Sequence, residues 1–388
     1  MPPFTDRFRP TWLTALSCDS ILNMFRTTWI GLALCAICFS QGRGGGAPPN
    51  FPTPKEGDFI VKDYKFTTGE TIPEVRLHYT TVGTPVKDSA GIVRNAVIVM
   101  HGTGGSGRGF TSASFGGILF KPGGLLDGAT HYIIMPDDIG NGKSSKPSDG
   151  LHQKFPKYTY EDMVRLEYKL VTEGLGVNHM RLVMGTSMGA MHTWQWGYMY
   201  PDFMDALMPL ASAPVEIGGR NRMLRKMLID SIRNDPDFNG GEYGKKPLSG
   251  MFGAEFALFV MTSSPLQLLK QAPTREKADA SFEQRFEGEA RDRWPDPNDM
   301  LYQYECSRDY NPEPHLEEIQ APLYAVNSAD DQVNPPELGI LEREIKRVKH
   351  GRYILLPITD ATRGHGTHSL PAIWGNYLGE LLKESEHR

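Results

Sequence analysis

The chain has 388 residues, 39% of them hydrophobic and 22% charged, and a formal net charge of −5. That length suits one large domain with an insertion, and that composition is globular, not disordered. A slightly acidic chain with no Lys/Arg block has no electrostatic footprint for nucleic acid, so such a partner is not expected.

Taken in chain order, the first segment differs from the rest. From Met24 the sequence MFRTTWIGLALCAICFSQ sets one Arg before an apolar stretch, Trp29 to Phe39, followed by small and polar residues. This is the layout of a secretory signal peptide, with Arg26 as its charged region and a cleavage site near Ser40. The apolar run falls well short of the ~20 residues that span a bilayer. An exported protein, periplasmic or extracellular, is therefore expected, with no stable membrane span after cleavage. Gln41 to Pro54 (QGRGGGAPPNFPTP) reads as a flexible linker. Cys18, Cys35 and Cys38 belong to this leader, which leaves Cys306 alone in the body as a small buried hydrophobe. No Cys/His cluster has zinc-ligand spacing, so neither a metal nor a cofactor is implied.

Strand and helix signals alternate from about Asp58. Phe59–Tyr64 and Arg76–Val82 alternate apolar and polar residues, as half-buried antiparallel strands do. Ala96–Met100, His131–Pro136, Met180–Met184, Leu207–Leu210, Leu323–Val326 and Tyr353–Pro357 are continuous apolar runs that suit buried parallel strands. Helical spacing appears over Tyr160–Glu173, with Thr159 as N-cap, and over Ala190–Tyr200. The alternation predicts an α/β architecture, a mostly parallel sheet with helices on both faces. Between about Val215 and Asp309 the rhythm breaks into helical patterns alone, Arg222–Arg233 and Phe252–Met261 among them, which predicts an inserted helical lid. The organisation read from the sequence is a leader over 1–54, a first core segment over 55–214, a lid over 215–310 and a second core segment over 311–388. The lid residues Met223, Met227, Met251, Phe252, Phe256 and Phe259 fit either an apolar acyl pocket or ordinary packing.

The chemistry centres on Gly185-Thr186-Ser187-Met188-Gly189, which matches G-x-S-x-G directly after a strand and before a helix. That context is a nucleophile elbow, whose tight turn needs the glycines and leaves the serine Oγ exposed at a helix N-terminus. A serine hydroxyl is a poor nucleophile and needs a base steadied by a third group. In α/β hydrolases, which this pattern resembles, the partners follow in the order Ser, acid, His. The loop after Leu323–Val326 offers Asp330 and Asp331, and the loop after Tyr353–Pro357 offers His365 and His368. By that resemblance Asp331, four residues before Pro335, is preferred as the acid, and Asp330 reads as a solvated loop carboxylate. His365, after Gly364, is preferred as the base, and His368 reads as a helix-start residue paired with backbone. The oxyanion donors are expected at the amides of Met188 and Thr103, with Gly104 next in line. The glycine-rich loop His101–Gly105 lacks a Walker lysine, so a phosphate cradle is not favoured.

A closer resemblance, to the homoserine O-acetyltransferase-like branch of the α/β hydrolases, is carried by several phrases. They are Asn95–Val99 with His101-Gly102, Thr159–Val164, Gly185–Met191, Tyr200-Pro201-Asp202, the Asp331…Pro335-Pro336 loop and the lid phrase Asp235–Tyr243. This resemblance implies a Ser187–His365–Asp331 triad and a small-molecule acyl substrate. The chain departs from that branch at His192, where the acetyltransferases have Gln, and at Ala254-Glu255, where they have an Ala-Arg pair that would grip a substrate carboxylate. Three activities follow: an exported hydrolase of ester-type bonds, an O-acyltransferase using acyl-CoA, and a non-catalytic module on the same fold. The triad favours the first two, and a leader favours hydrolysis, because acyl-CoA is scarce outside the cell. Oligomeric state is open, a lid-mediated dimer being one arrangement.

Overall fold

A computed structural model of the protein describes residues 50–386. The expected signal peptide, its cleavage site and the linker up to residue 49 lie outside that range.

Eight strands form one sheet in the order β1-β2-β4-β3-β5-β6-β7-β8. They are β1 (Lys55–Lys65), β2 (Thr71–Val82), β3 (Ala96–Met100), β4 (Tyr132–Pro136), β5 (Leu182–Thr186), β6 (Leu207–Leu210), β7 (Leu323–Ser328) and β8 (Gly351–Leu356). The first two are antiparallel to each other, β2 is antiparallel to β4, and the remaining pairs are parallel. Helices α1 (Gly116–Leu119), α2 (Tyr160–Lys169), α3 (Met188–Met199), α4 (Gly219–Arg233), α5 (Leu248–Thr262), α6 (Pro265–Gln271), α7 (Arg275–Phe286), α8 (Pro297–Glu305), α9 (Ile340–Glu344) and α10 (Pro371–Glu384) complete the main elements.

The continuous apolar runs have a direct cause. Successive side chains on a strand point to opposite faces, and here both faces are covered. Val97, Val99, Ile133, Met135, Leu182 and Met184 pack on one side with Trp374, Leu378 and Leu381 of α10. Ala96, Ile98, Met100, Ile134 and Val183 pack on the other with Val164 of α2 and Trp194 and Trp196 of α3. Each fully buried side chain of this size contributes about 1.5–3 kcal/mol, so the two apolar layers dominate the stability of the sheet. The α2 start follows the sequence: Thr159 Oγ1 accepts from Asp162 N–H while Asp162 Oδ2 accepts from Thr159 N–H, a capping box. The helix runs shorter than the expected Tyr160–Glu173, because its last turn widens to π geometry over Leu170–Gly174. Phe51, expected in the linker, is buried edge-on against Phe120, so the packed body begins before Pro54.

No strand interrupts the segment between β6 and β7. Its helices carry a small core of their own, with Leu228, Ile229, Ile232, Met251, Ala254, Phe286, Trp294 and Leu301 buried together. Gly250 lets α4 and α5 cross closely, since a Cβ there would lie 2.4 Å from Ser231 O. Met251 packs in this core and Phe252 and Phe259 pack against it, whereas Met223 and Met227 are 68% and 57% exposed. The latter two therefore line no enclosed acyl pocket. Among the described residues no single helix is long and apolar enough to cross a membrane.

Candidate active site

The strand β5 delivers Ser187 and α3 leaves from it. Ser187 has φ 53° and ψ −109°, a conformation that L-residues avoid and that costs of order 1–3 kcal/mol. The surrounding glycines make the turn physically possible. A Cβ on Gly185 would lie 2.2 Å from Gly189 O, and one on Gly189 would lie 2.2 Å from Met100 O. As the first residue of α3, Met188 has an amide N–H with no partner within the helix.

The loop after β3 lies against the serine: a Cβ on Gly102 would be 3.3 Å from Ser187 Cβ and 3.9 Å from Oγ. Within it Gly104 N–H donates to Asn141 Oδ1 (3.1 Å) and Gly105 N–H to Gly102 O (2.9 Å). The first of these bonds occupies the Gly104 donor, which favours Thr103 of the two amides weighed from the sequence.

The acid and histidine loops converge on the same point from β7 and β8. His365 Nε2 stands 2.8 Å from Ser187 Oγ, and His365 Nδ1 is 3.1 and 3.0 Å from the two carboxylate oxygens of Asp331. Asp331 is wholly buried and His365 is 7% exposed. Burial alone would raise the Asp331 pKa. His365 and the amides of Val333 and Asn334 outweigh it, holding that carboxyl below its ordinary range. An ionised Asp331 orients Nδ1–H toward itself and leaves the Nε2 lone pair for the serine proton, the tautomer that the network assigns.

Two expectations are corrected here. Asp330 is not a solvated carboxylate: it is buried, and it accepts from Gly364 N–H, Ser264 Oγ and the Ser328 hydroxyl. Neither does His368 pair with backbone through its ring. Its Nδ1 meets Ser369 Oγ at 2.9 Å, and its ring lies edge-on to that of His365 with centroids 5.1 Å apart. Burial, reinforced by His365, pushes the His368 pKa down to about 3, so it stays neutral.

Sequence reasoning missed a second buried cluster behind the oxyanion loop. Asp138, Glu167 and His192 each place one donor atom within 4.8 Å of the others, the spacing a metal ion requires. Glu167 accepts from Trp196 Nε1–H (2.6 Å) and lies 2.8 Å from His192 Nδ1, while neither Asp138 oxygen has a hydrogen-bond partner. Protons can balance the cluster without a metal. Burial, with Glu167 beside it, raises the Asp138 pKa well above its usual range; burial takes Glu167 up to about 7 and His192 down to about 4. An uncharged Asp138 carboxyl beside Glu167 is the state those shifts favour. The signal available beforehand was His192 itself, standing where the acetyltransferases have Gln.

On the lid, Glu255 is partly buried and its carboxyl is raised by burial, against Arg285 and Lys246 nearby. Arg222 is exposed, whereas Arg225 is buried, donating to Asn221 Oδ1 (3.0 Å) and Ser307 Oγ (3.2 Å) beneath the Tyr304 ring.

The sequence pattern described as alpha/beta hydrolase fold matches residues 95–355, a stretch that holds Ser187, Asp331 and the helical segment between them and ends ten residues before His365. The chain belongs to the α/β hydrolase fold family. As a member it is similar to a probable acyltransferase of Methanothermobacter thermautotrophicus, 30% identical over 284 residues that make up 73% of this chain and 85% of that one. It is also similar to a homoserine O-acetyltransferase of Haemophilus influenzae, 28% identical over 78% of this chain and 82% of that protein. Among solved structures, an acetylester hydrolase from Corynebacterium glutamicum superposes with a TM-score of 0.72 at 20% identity, covering 85% of this chain and 96% of that one. The homoserine O-acetyltransferase-like resemblance of this hydrolase-fold enzyme thus holds over most of the chain.

Proposed function

We propose that the protein is an exported serine hydrolase that cleaves an ester-type acyl bond through an acyl-Ser187 intermediate. The hydrogen-bonded line from Ser187 Oγ through His365 to buried Asp331 carries this reading. His365 Nε2 takes the Oγ proton as Oγ attacks the acyl carbon, and Asp331 steadies the imidazolium that forms. The amides of Met188 and Thr103 hold the negative charge that develops on the carbonyl oxygen. Protonated His365 then gives its proton to the departing alcohol. A water, deprotonated by the same nitrogen, attacks the acyl carbon, releases the acid and restores Ser187.

Transfer is the second reading, favoured by the acyltransferase names of the relatives. In it an alcohol replaces water in the second half, so the triad serves both. Glu255, at the place where the acetyltransferases have Arg, argues against a substrate carboxylate gripped there, since like charges repel. Export rests on the leader sequence from Met24 to Gln41, which also places the enzyme away from acyl-CoA.

Mass spectrometry of the protein secreted from its full gene tests both readings, with and without p-nitrophenyl acetate and acetyl-CoA. Rapid ester turnover, no mass gain from acetyl-CoA and a chain starting near Gln41 are expected. A stable acetyl adduct on Ser187 from acetyl-CoA, on a chain that keeps its leader, would replace the exported hydrolase by the transferase.

A further inference from the structure

The neighbouring carboxylates of the acid loop diverge. Asp331 reaches the His365 ring, while Asp330, only 7% exposed, turns to the backbone and to the lid. Its Oδ2 accepts from Gly364 N–H at 2.9 Å and from Ser264 Oγ at 3.2 Å, and its Oδ1 accepts from the Ser328 hydroxyl. Gly364 directly precedes His365 and has φ +60°; a Cβ there would meet Asp330 O, Ser263 O and Ser264 Cβ, each at 3.3 Å. Ser263 and Ser264 form the break where α5 and α6 bend through 104°. Farther along α6, Gln267 Nε2 donates to Asp360 O (3.2 Å) and Thr362 O (2.9 Å), and Lys270 pairs with Asp360. One buried carboxylate thus grips the lid at its bend and, with the same oxygen, the peptide that carries His365.

We propose that Asp330 is a positioning residue that latches the lid bend to the histidine loop, so that seating of the lid and alignment of His365 are one event. This rests on the reading of Ser187, His365 and Asp331 as the reacting set. The physical reason lies in what separation would expose. A lid moving away with α6 would take Ser264 from Asp330 and would pull Thr362 and Asp360 through Gln267 and Lys270. A buried carboxylate short of donors is costly, so partial release is disfavoured and the contacts form or break together. His365 must stay within hydrogen-bond reach of Oγ to accept its proton, and a displacement of ~1 Å can cost roughly a hundredfold in rate.

The test compares Asp330→Asn, Ser264→Ala and the double variant in the full chain, with Ser187→Ala as control. Four quantities are read: kcat and KM for p-nitrophenyl acetate, the rate of Ser187 labelling by a fluorophosphonate, and the melting temperature. Asp330→Asn should lower kcat and labelling together by about 10- to 100-fold, with KM changed by less than about threefold. Ser264→Ala should cost less, and the double variant no more than Asp330→Asn alone, because both remove the same latch. A purely structural Asp330 would lower the melting temperature and leave kcat per folded molecule unchanged, and that result would overturn the latch. Additive effects of the two substitutions would overturn it as well. Should Asp330→Asn fail to fold, Ser264→Ala and Gln267→Ala carry the test, and wild-type labelling rates in both would refute the coupling. Turnover surviving in Ser187→Ala would instead sink the underlying assignment of the nucleophile.

Discussion

Replacing Asp331 by Asn probes the proposed triad most sharply, because it changes charge and tautomer while nearly preserving shape. In the native site Asp331 Oδ1 accepts from the amides of Val333 (2.8 Å) and Asn334 (3.2 Å), and both oxygens face His365 Nδ1. An Asn oxygen can keep the two amide bonds. Its NH2 then faces His365 and favours the imidazole with Nδ1 bare and Nε2 protonated. That tautomer points N–H at Ser187 Oγ, 2.8 Å away, and has no lone pair there for the serine proton. Triads of this geometry lose about 10⁴ in kcat on the same change, which at 1.36 kcal/mol per tenfold is about 5 kcal/mol of transition-state stabilisation. Stability should change far less. The Asp331 pKa is depressed in the folded state, so its stabilising contribution is present above the unfolded value near 3.8 and fades as pH falls through the folded one. Hydrolysis of p-nitrophenyl acetate, followed at equal concentrations of folded protein, measures the loss directly. Activity of Asp331→Asn within tenfold of wild type, or a larger loss in Asp330→Asn, would refute the assignment of roles in this loop.

Three more outcomes are expected. His365→Ala should abolish turnover to the level of Ser187→Ala, and His368→Ala should keep at least about a tenth of wild-type kcat, because its ring nitrogen serves Ser369 and not the serine; the reverse ordering in the same ester assay would contradict the geometry. Gly189→Ala should destabilise the protein by more than about 3 kcal/mol in a denaturant melt, since its Cβ would lie 2.2 Å from a backbone oxygen, whereas Gly109→Ala, with nothing within 4 Å, should melt near wild type. The last outcome concerns pH. Asp138 holds its proton in the folded state at pH values where the unfolded chain has lost it, so stability falls as pH rises above about 3.8, by up to about 1.4 kcal/mol per unit. Glu167 acts in the same direction up to about pH 7, and His192, down at about 4, acts oppositely up to about pH 6.5, so these two largely cancel. Asp138→Asn should therefore gain melting temperature relative to wild type as pH rises above about 3.8; a difference that does not change with pH would show that the carboxyl is not held protonated.

What could be read from the chain follows from how local each signal is. Ala96–Met100 and Leu207–Leu210 were legible residue for residue because a strand covered on both faces leaves no polar position within it. The elbow was legible because its two glycines answer backbone collisions only a few residues away in sequence or across one strand pair. Asp330 was misread for the opposite reason. Its partners Ser264 and Gly364 lie 66 and 34 positions away, and nothing beside it in sequence hints that it is buried. His192 and Glu167 are similarly joined only by packing of α2 against α3.

The site's economy also bears on why the lid belongs to the chemistry. Ser187 is held in a backbone conformation that the turn alone would not keep, and the bonds that keep it there come from several elements: Ser187 N–H to Leu210 O, Gly189 N–H to His101 O, and the imidazole to Oγ. Strain of this kind persists only where surrounding structure over-determines it. The histidine has less local support, since the loop after β8 is a chain of turns with its one left-handed glycine immediately before the base. Its order is supplied from outside, by the acid loop on one side and by α6 of the lid on the other. An α/β sheet can present Ser187 unaided, whereas the loop that carries His365 is tied both to the acid loop and to α6. Under the proposed latch, seating of α6 therefore acts on the alignment of His365 with Ser187, the quantity on which proton transfer depends.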